Sequence, residues 1–118
     1  MSSRDVGNQY EEMVATFLKD RGMEIVERNY SCFNGEVDII AHDKDYLVFV
    51  EVKYRASDEY GSAAEAVDKK KQKKISKVAK HYLKANGISE FAPVRFDVAA
   101  VSGDTIEYYE NAFDYAGR

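Results

Sequence analysis

Three carboxylates and one lysine stand out by type and spacing. Glu36 and Asp38 lie in Gly35-Glu36-Val37-Asp38-Ile39-Ile40, and Glu51 and Lys53 in Val48-Phe49-Val50-Glu51-Val52-Lys53. Both runs read as strands, and Asp43-Lys44-Asp45 between them reads as a turn. With Lys44-Asp45 at the turn, antiparallel pairing sets Asp38 opposite Glu51 and Glu36 opposite Lys53. Side chains two apart share a face, so all four would project from one side at the open end of a hairpin. A slip of one residue breaks the direct pairing but leaves Glu51 and Lys53 together. Acids directly opposite each other destabilise a sheet and push one pKa up. Mg²⁺ or Mn²⁺, which favour carboxylate oxygens and water, would relieve that repulsion. A cation held by Asp38 and Glu51 could acidify a water, polarise a phosphorus and stabilise developing negative charge. Lys53 would add a flexible point charge toward the water or the transition state. That is the chemistry of phosphodiester hydrolysis. The competing reading is a strand with one wet face, in which Glu36 and Lys53 form a salt bridge.

These residues need elements to hold them. A first helix is expected from about Asp5 to Arg21, stopped at Gly22, with Tyr10, Val14, Phe17 and Leu18 as its apolar stripe. Projected at 100° per residue, Glu12 falls on the polar side and Glu11 inside the apolar arc. A bare buried carboxylate is costly, so Glu11 needs a partner. Two partners are open: the acidic site itself, or solvent or an arginine at the boundary. Strands are expected at Met23–Tyr30, Val37–Ala41, Tyr46–Val52, Val94–Val101 and Thr105–Tyr109, the second and third apolar on both faces and therefore central. A second helix begins at a Ser62/Glu65 capping box or at Asp68 and ends before Gly87. The segment around Ala112, Phe113 and Tyr115 is expected to pack back on the sheet. The fold class is α/β, a mixed sheet flanked by helices, in one domain.

Composition narrows the setting. An apolar content of 45% with 32% charged residues suits a water-soluble globular domain rather than a disordered chain. The apolar core run Leu47–Val50 is far short of the ~20 residues of a membrane span. No signal-like segment opens the chain, and a lone Cys32 fits a reducing cytoplasm. The net charge of −4 conceals an asymmetry: Lys69 to Lys84 holds eight lysines and no acid, leaving nine basic against 21 acidic residues elsewhere. Such a segment suits a local anionic partner.

Several motifs together carry a resemblance. Gly7-x-x-x-Glu11, Gly35-Glu36-Val37-Asp38-Ile39-Ile40, Val48-Phe49-Val50-Glu51-Val52-Lys53-Tyr54-Arg55 and Arg95-Phe96-Asp97-Val98 resemble the YraN family of predicted bacterial endonucleases. That family is similar to archaeal Holliday junction resolvases of the PD-(D/E)xK nuclease superfamily. The resemblance implies a restriction-endonuclease-like core with Asp38, Glu51 and Lys53 as the catalytic set and Glu11 as an acid from the first helix. It also implies that the backbone carbonyl of Val52 completes the metal shell, and it suggests branched DNA as an analogy for the substrate. Val37 stands where the superfamily's name calls for proline.

In the second helix, Lys70, Lys73, Lys77, Lys80 and Lys84 recur every three or four residues as one stripe, opposite Ile75, Val78, Ala79, Tyr82 and Leu83. The stripe is either a solvated face or a rail for a nucleic-acid backbone. Lys71, beside Gln72, projects toward the core near the helix start, to contact the scissile strand or to pair with an acid of the hairpin. Tyr54 and Arg55 are further candidates for phosphate contact. Arg95 and Asp97, two apart on a strand, are expected to form a structural ion pair. His42 and His81 are isolated, so no Ser-His-Asp or Cys-His arrangement competes. A single domain cuts one strand at a time, so a symmetric cut predicts a homodimer.

Overall fold

The apolar runs around Ile39, Phe49 and Val98 become the centre of one five-stranded sheet. The computed structural model describes residues 3–55 and 67–116. In chain order its elements are α1 (Ser3–Asp20), β1 (Glu24–Cys32), β2 (Gly35–Asp43), β3 (Tyr46–Tyr54), α2 (Lys69–Ala85), β4 (Val94–Ser102) and β5 (Thr105–Phe113). The strands lie side by side in chain order. β1–β2, β2–β3 and β4–β5 are antiparallel, whereas β3 and β4 run parallel, with α2 between them in the chain. This is the mixed α/β architecture expected from the sequence. Among the described residues no helix is long and apolar enough to cross a membrane.

Period-two alternation on the central strands splits the core into two layers. Val14, Ala15 and Leu18 of α1 pack on Ile39, Ala41, Val48, Val50, Ala99 and Val101. Ile75, Val78, Ala79, Tyr82 and Leu83 of α2 pack on the other face with Ile40, Leu47, Phe49, Phe96 and Val98. Both helices stop as the glycines predict. Gly22 (φ 88°) and Gly87 (φ 65°) adopt the left-handed backbone after the last turn. The next amide then bonds back across the turn, Met23 N–H to Leu18 O at 3.0 Å and Ile88 N–H to Leu83 O at 2.8 Å. At its start α2 is capped by Asp68, whose Oδ1 accepts from Lys71 N at 2.8 Å. The expected Ser62/Glu65 capping box lies outside the described residues.

β5 is longer than expected, reaching Phe113, so Ala112 and Phe113 pack as part of a strand. The extension depends on a bulge. Phe96 pairs with Phe113 and Val98 with Tyr109, so β5 carries extra residues opposite Asp97. Asp97 fills the gap by accepting from Asn111 N–H (2.8 Å) and from the Tyr108 hydroxyl. Burial and the Asp97 charge push the Tyr108 phenol up, which keeps it a donor. Arg95 closes the cluster: Nε is 3.0 Å from Asp97 Oδ1, Nη2 3.0 Å from Asp43 Oδ2, and Nη1 3.1 Å from Glu110 Oε1. The expected Arg95–Asp97 pair is thus the buried hub of a network joining β2, β4 and β5.

Truncating a hub leaves buried partners unsatisfied. Asp97→Ala leaves the Tyr108 hydroxyl and the Asn111 amide without their acceptor and removes one of the three carboxylates on Arg95, and is expected to cost about 2–4 kcal/mol of folding free energy. Urea denaturation checks it, and a loss under about 1 kcal/mol would be too small for such a hub.

Candidate active site

The register of β2 with β3 is the one the turn position implies, from Asp43 opposite Tyr46 to Ile39 opposite Val50. There the ladder stops. β2 continues on β1 as far as Gly35, and β3 continues on β4 as far as Tyr54. The sheet therefore forks between Asp38 and Glu51. Val52 N–H, which would otherwise lose a partner in the fork, donates to Asp38 Oδ2 at 2.7 Å. A carboxylate replaces a strand at the point where the two strands part.

A second irregularity turns β2 at the same level. Val37 and Ile40 face the α2 layer and Ile39 faces the α1 layer, so alternation is interrupted around Asp38. β1 does the same: Arg28 reaches Glu12 of α1 (2.6 Å), whereas Tyr30, two residues on, packs edge-on against Tyr82 of α2. Between them Asn29, level with Asp38, has φ 54°. Asparagine tolerates this left-handed conformation better than most side chains. The switch of face corrects the expectation that Glu36, Asp38, Glu51 and Lys53 share one side. Among the described residues no ion pair joins Glu36 to Lys53. Glu36 instead lies close enough to Glu11 for its charge to raise the Glu11 pKa.

Around the fork, Asp38 and Glu51 come within hydrogen-bonding reach of each other. Glu51 is 8% exposed. Burial first, then the Glu51 bond and charge, push the Asp38 carboxyl up to about 8, against the pull of Val52 N–H and Lys71. A proton held between the two acids is the physical content of that shift. Lys71 Nζ stands 3.2 Å from Glu51 Oε2, so the salt-bridge alternative for Lys71 is the one observed. From the other layer comes Glu11, partly buried as its projection requires. Burial and then the Asp38 charge raise its pKa, and Asn29 hydrogen-bonds it. Its Oε1 is buried with no hydrogen-bond partner.

The remaining candidates divide. Lys53 is exposed, two residues beyond Glu51 on the same strand. Tyr54 is half exposed and stacks on Tyr10 of α1, with ring centres 4.7 Å apart. Gln72 is turned away, its Nε2 donating to Val67 O at 2.9 Å. Arg55 is buried, its amide bonded to Val101 O and its side chain to Tyr109 of β5. That placement ties its guanidinium to β5. Of the histidines, His81 Nδ1 is 2.7 Å from the Tyr30 hydroxyl and His42 is exposed. Asn29 is the residue that sequence reasoning passed over. The signal was an asparagine inside a strand, where it is disfavoured.

The donor set suits a hard divalent cation. Glu11, Asp38 and Glu51 offer only carboxylate oxygens, and Glu11 Oε1 is buried without a hydrogen-bonding donor. As they stand, no three His, Cys, Asp or Glu side chains among the described residues are spread around a common point that could hold a metal ion. Asp38 and Glu51 are drawn onto each other instead. Mg²⁺ commonly takes one or two carboxylates and keeps its waters, so this pair is sufficient for it.

Fold and fork together define an α/β protein with a half-buried carboxylate site. Residues 10–101 match the model of the uncharacterised protein family UPF0102. The chain belongs to that family. A UPF0102 protein of Lachnoclostridium phytofermentans is 43% identical, covering 99% of both chains. One from Syntrophus aciditrophicus is 46% identical over 93% of this chain and 89% of its own. One from Photobacterium profundum is 43% identical over 94% and 91%.

The raised Asp38 pKa has a stability consequence. A carboxyl whose folded pKa exceeds its unfolded value contributes stability fully at low pH and loses it as pH rises through the folded pKa. Asp38→Asn keeps the bond from Val52 N–H and can donate to Glu51 without ionising. In EDTA it is expected to unfold at or below the wild-type temperature near pH 4. Above pH 8 it should unfold higher, by about 1 kcal/mol or roughly 4 °C. Thermal melts across that range measure it, and a pH-independent difference would contradict the shared proton.

Proposed function

We propose that this chain is a metal-dependent nuclease hydrolysing phosphodiester bonds, with the restriction-endonuclease-like core of the PD-(D/E)xK superfamily and DNA as its substrate. One observation carries the reading: the sheet opens where Asp38 and Glu51 meet, with Lys53 just beyond them. A fold gains nothing in stability by pressing two acids together at a break in its sheet. A site that exchanges their shared proton for a cation does gain from it.

Asp38 and Glu51 would hold Mg²⁺ or Mn²⁺, with the Val52 carbonyl and Glu11 from α1 as further oxygen donors. Bound there, the cation supplies acidity to a water and neutralises charge on the phosphate. Lys53, exposed and charged, orients the water and stabilises the negative charge developing on the phosphate oxygens. Lys71 supplies positive charge to Glu51. Branched or otherwise structured DNA is the substrate that the resemblance to junction resolvases suggests, and a symmetric cut would take a homodimer. The exposed lysines of α2 would equally serve a second reading, a nucleic-acid-binding adaptor that keeps the fold without the catalysis.

Purified protein with Mn²⁺ is expected to cut at least one of duplex, flap, four-way-junction and single-stranded DNA. Glu51→Ala and Lys53→Ala should each slow that cutting by about 10²-fold or more. EDTA should abolish it. Cutting that survives both substitutions would place the chemistry elsewhere. No cutting of any substrate, with nucleic-acid binding intact, would leave the adaptor.

A further inference from the structure

The lysine helix is the sequence feature that the carboxylate fork does not use. All eight lysines between Lys69 and Lys84 are exposed. Among the described residues just one of them, Lys71, forms an ion pair, and Lys80 lies 5.6 Å over the Tyr115 ring. Lys70, Lys73, Lys77, Lys80 and Lys84 follow one line along the outer face, since the opposite stripe is buried in the α2-side core. Their spacing sets like charges three and four apart, an arrangement that weakens a helix. A face whose role was solvation would do better with acids interleaved. The chain has acids in excess, 21 against 17 basic residues, yet places none here.

Position adds to composition. Lys71, in the first turn of α2, touches Glu51 at the fork, so the stripe begins at the candidate site and runs away from it. From Lys70 to Lys84 the stripe is ~21 Å long at 1.5 Å per residue. At 3.4 Å of rise per base pair, that spans about six base pairs of a duplex. A straight row of charges of that length matches a stiff polyanion in both charge and reach.

We propose that the outer face of α2 is a docking rail for the phosphate backbone of a nucleic-acid duplex, leading it toward the carboxylate fork. The direction of travel rests on the fork being a phosphodiesterase site; the binding itself does not.

The test measures binding of the full chain in EDTA, where a metal-dependent site cannot cut. Matched DNA and RNA duplexes are titrated across a series of salt concentrations. The quadruple substitution Lys70→Gln, Lys73→Gln, Lys77→Gln, Lys84→Gln spares Lys71 at the fork and Lys80 on Tyr115, and it relieves repulsion within the helix. Each lost phosphate contact removes about 0.9 from the slope of log affinity against log salt, so the slope should flatten by about three to four. Acetylation mapping of the wild-type protein supplies a second readout that needs no variant. Lys73, Lys77 and Lys84 should be protected by duplex, whereas Lys19 on α1 and Lys44 at the β2–β3 turn should not.

An unchanged slope, or equal protection of Lys19 and Lys44, overturns the rail. Competition by polyglutamate as effective as that by duplex also overturns it, in favour of an acidic protein partner. Whichever duplex binds more tightly with the expected slope names the nucleic acid. Binding along the rail without cutting in Mn²⁺ keeps the rail and removes the nuclease. Cutting that is indifferent to the quadruple substitution at raised salt does the reverse.

Discussion

Two carboxylates within hydrogen-bonding reach of each other repel unless a proton or a cation lies between them, and in a half-buried cleft that repulsion is poorly screened. Asp38 and Glu51 are in that position, and the structure around them answers to it. β2 and β3 part at Ile39 and Val50. The amide freed by the parting is taken by Asp38 itself. Lys71 brings a positive charge against Glu51, from the first turn of a helix whose dipole also presents its positive end there. On the opposite side Asn29 holds Glu11 beside the same cleft.

A sheet that is open at one end needs closure at the other. Arg95 and Asp97 provide it, binding Asp43 at the end of β2, Glu110 in the β5 bulge and the Tyr108 hydroxyl. At this end one guanidinium is shared among three carboxylates, and Asp97 is further satisfied by the Asn111 amide and the Tyr108 hydroxyl. A partly buried ionic network of this kind adds less net stability than a hydrophobic substitute, but it fixes geometry. Here it fixes the register of the strands from the end where they remain paired. The fork can then carry unfavourable contacts without the sheet slipping to relieve them.

This division explains which features the sequence disclosed. Local rules governed the closed parts: the Lys44-Asp45 turn set the β2–β3 register, Gly22 and Gly87 ended the helices, and helical projection turned Glu11 inward. All follow from periodicity or from a single residue's backbone preference. The fork was illegible because it is a departure from pairing, and extrapolating the ladder through Asp38 predicts a contact between Glu36 and Lys53 that does not form. Asn29 reverses the side on which β1 and β2 present their residues, and period-two reasoning has no means of placing such a reversal. The distance of Arg55 from Lys53 along the chain is short, but its side chain belongs to the β5 side of the sheet.

The reversal at Asn29 also gives Asp38 its particular standing. Glu51 and Lys71 approach from the α2 layer, and Glu11 approaches from the α1 layer. At Asp38 the two layers meet across a single carboxyl group. On the proposed chemistry, Glu11 from the α1 side and Asp38 and Glu51 from the α2 side would hold the cation, with Lys71 beside Glu51.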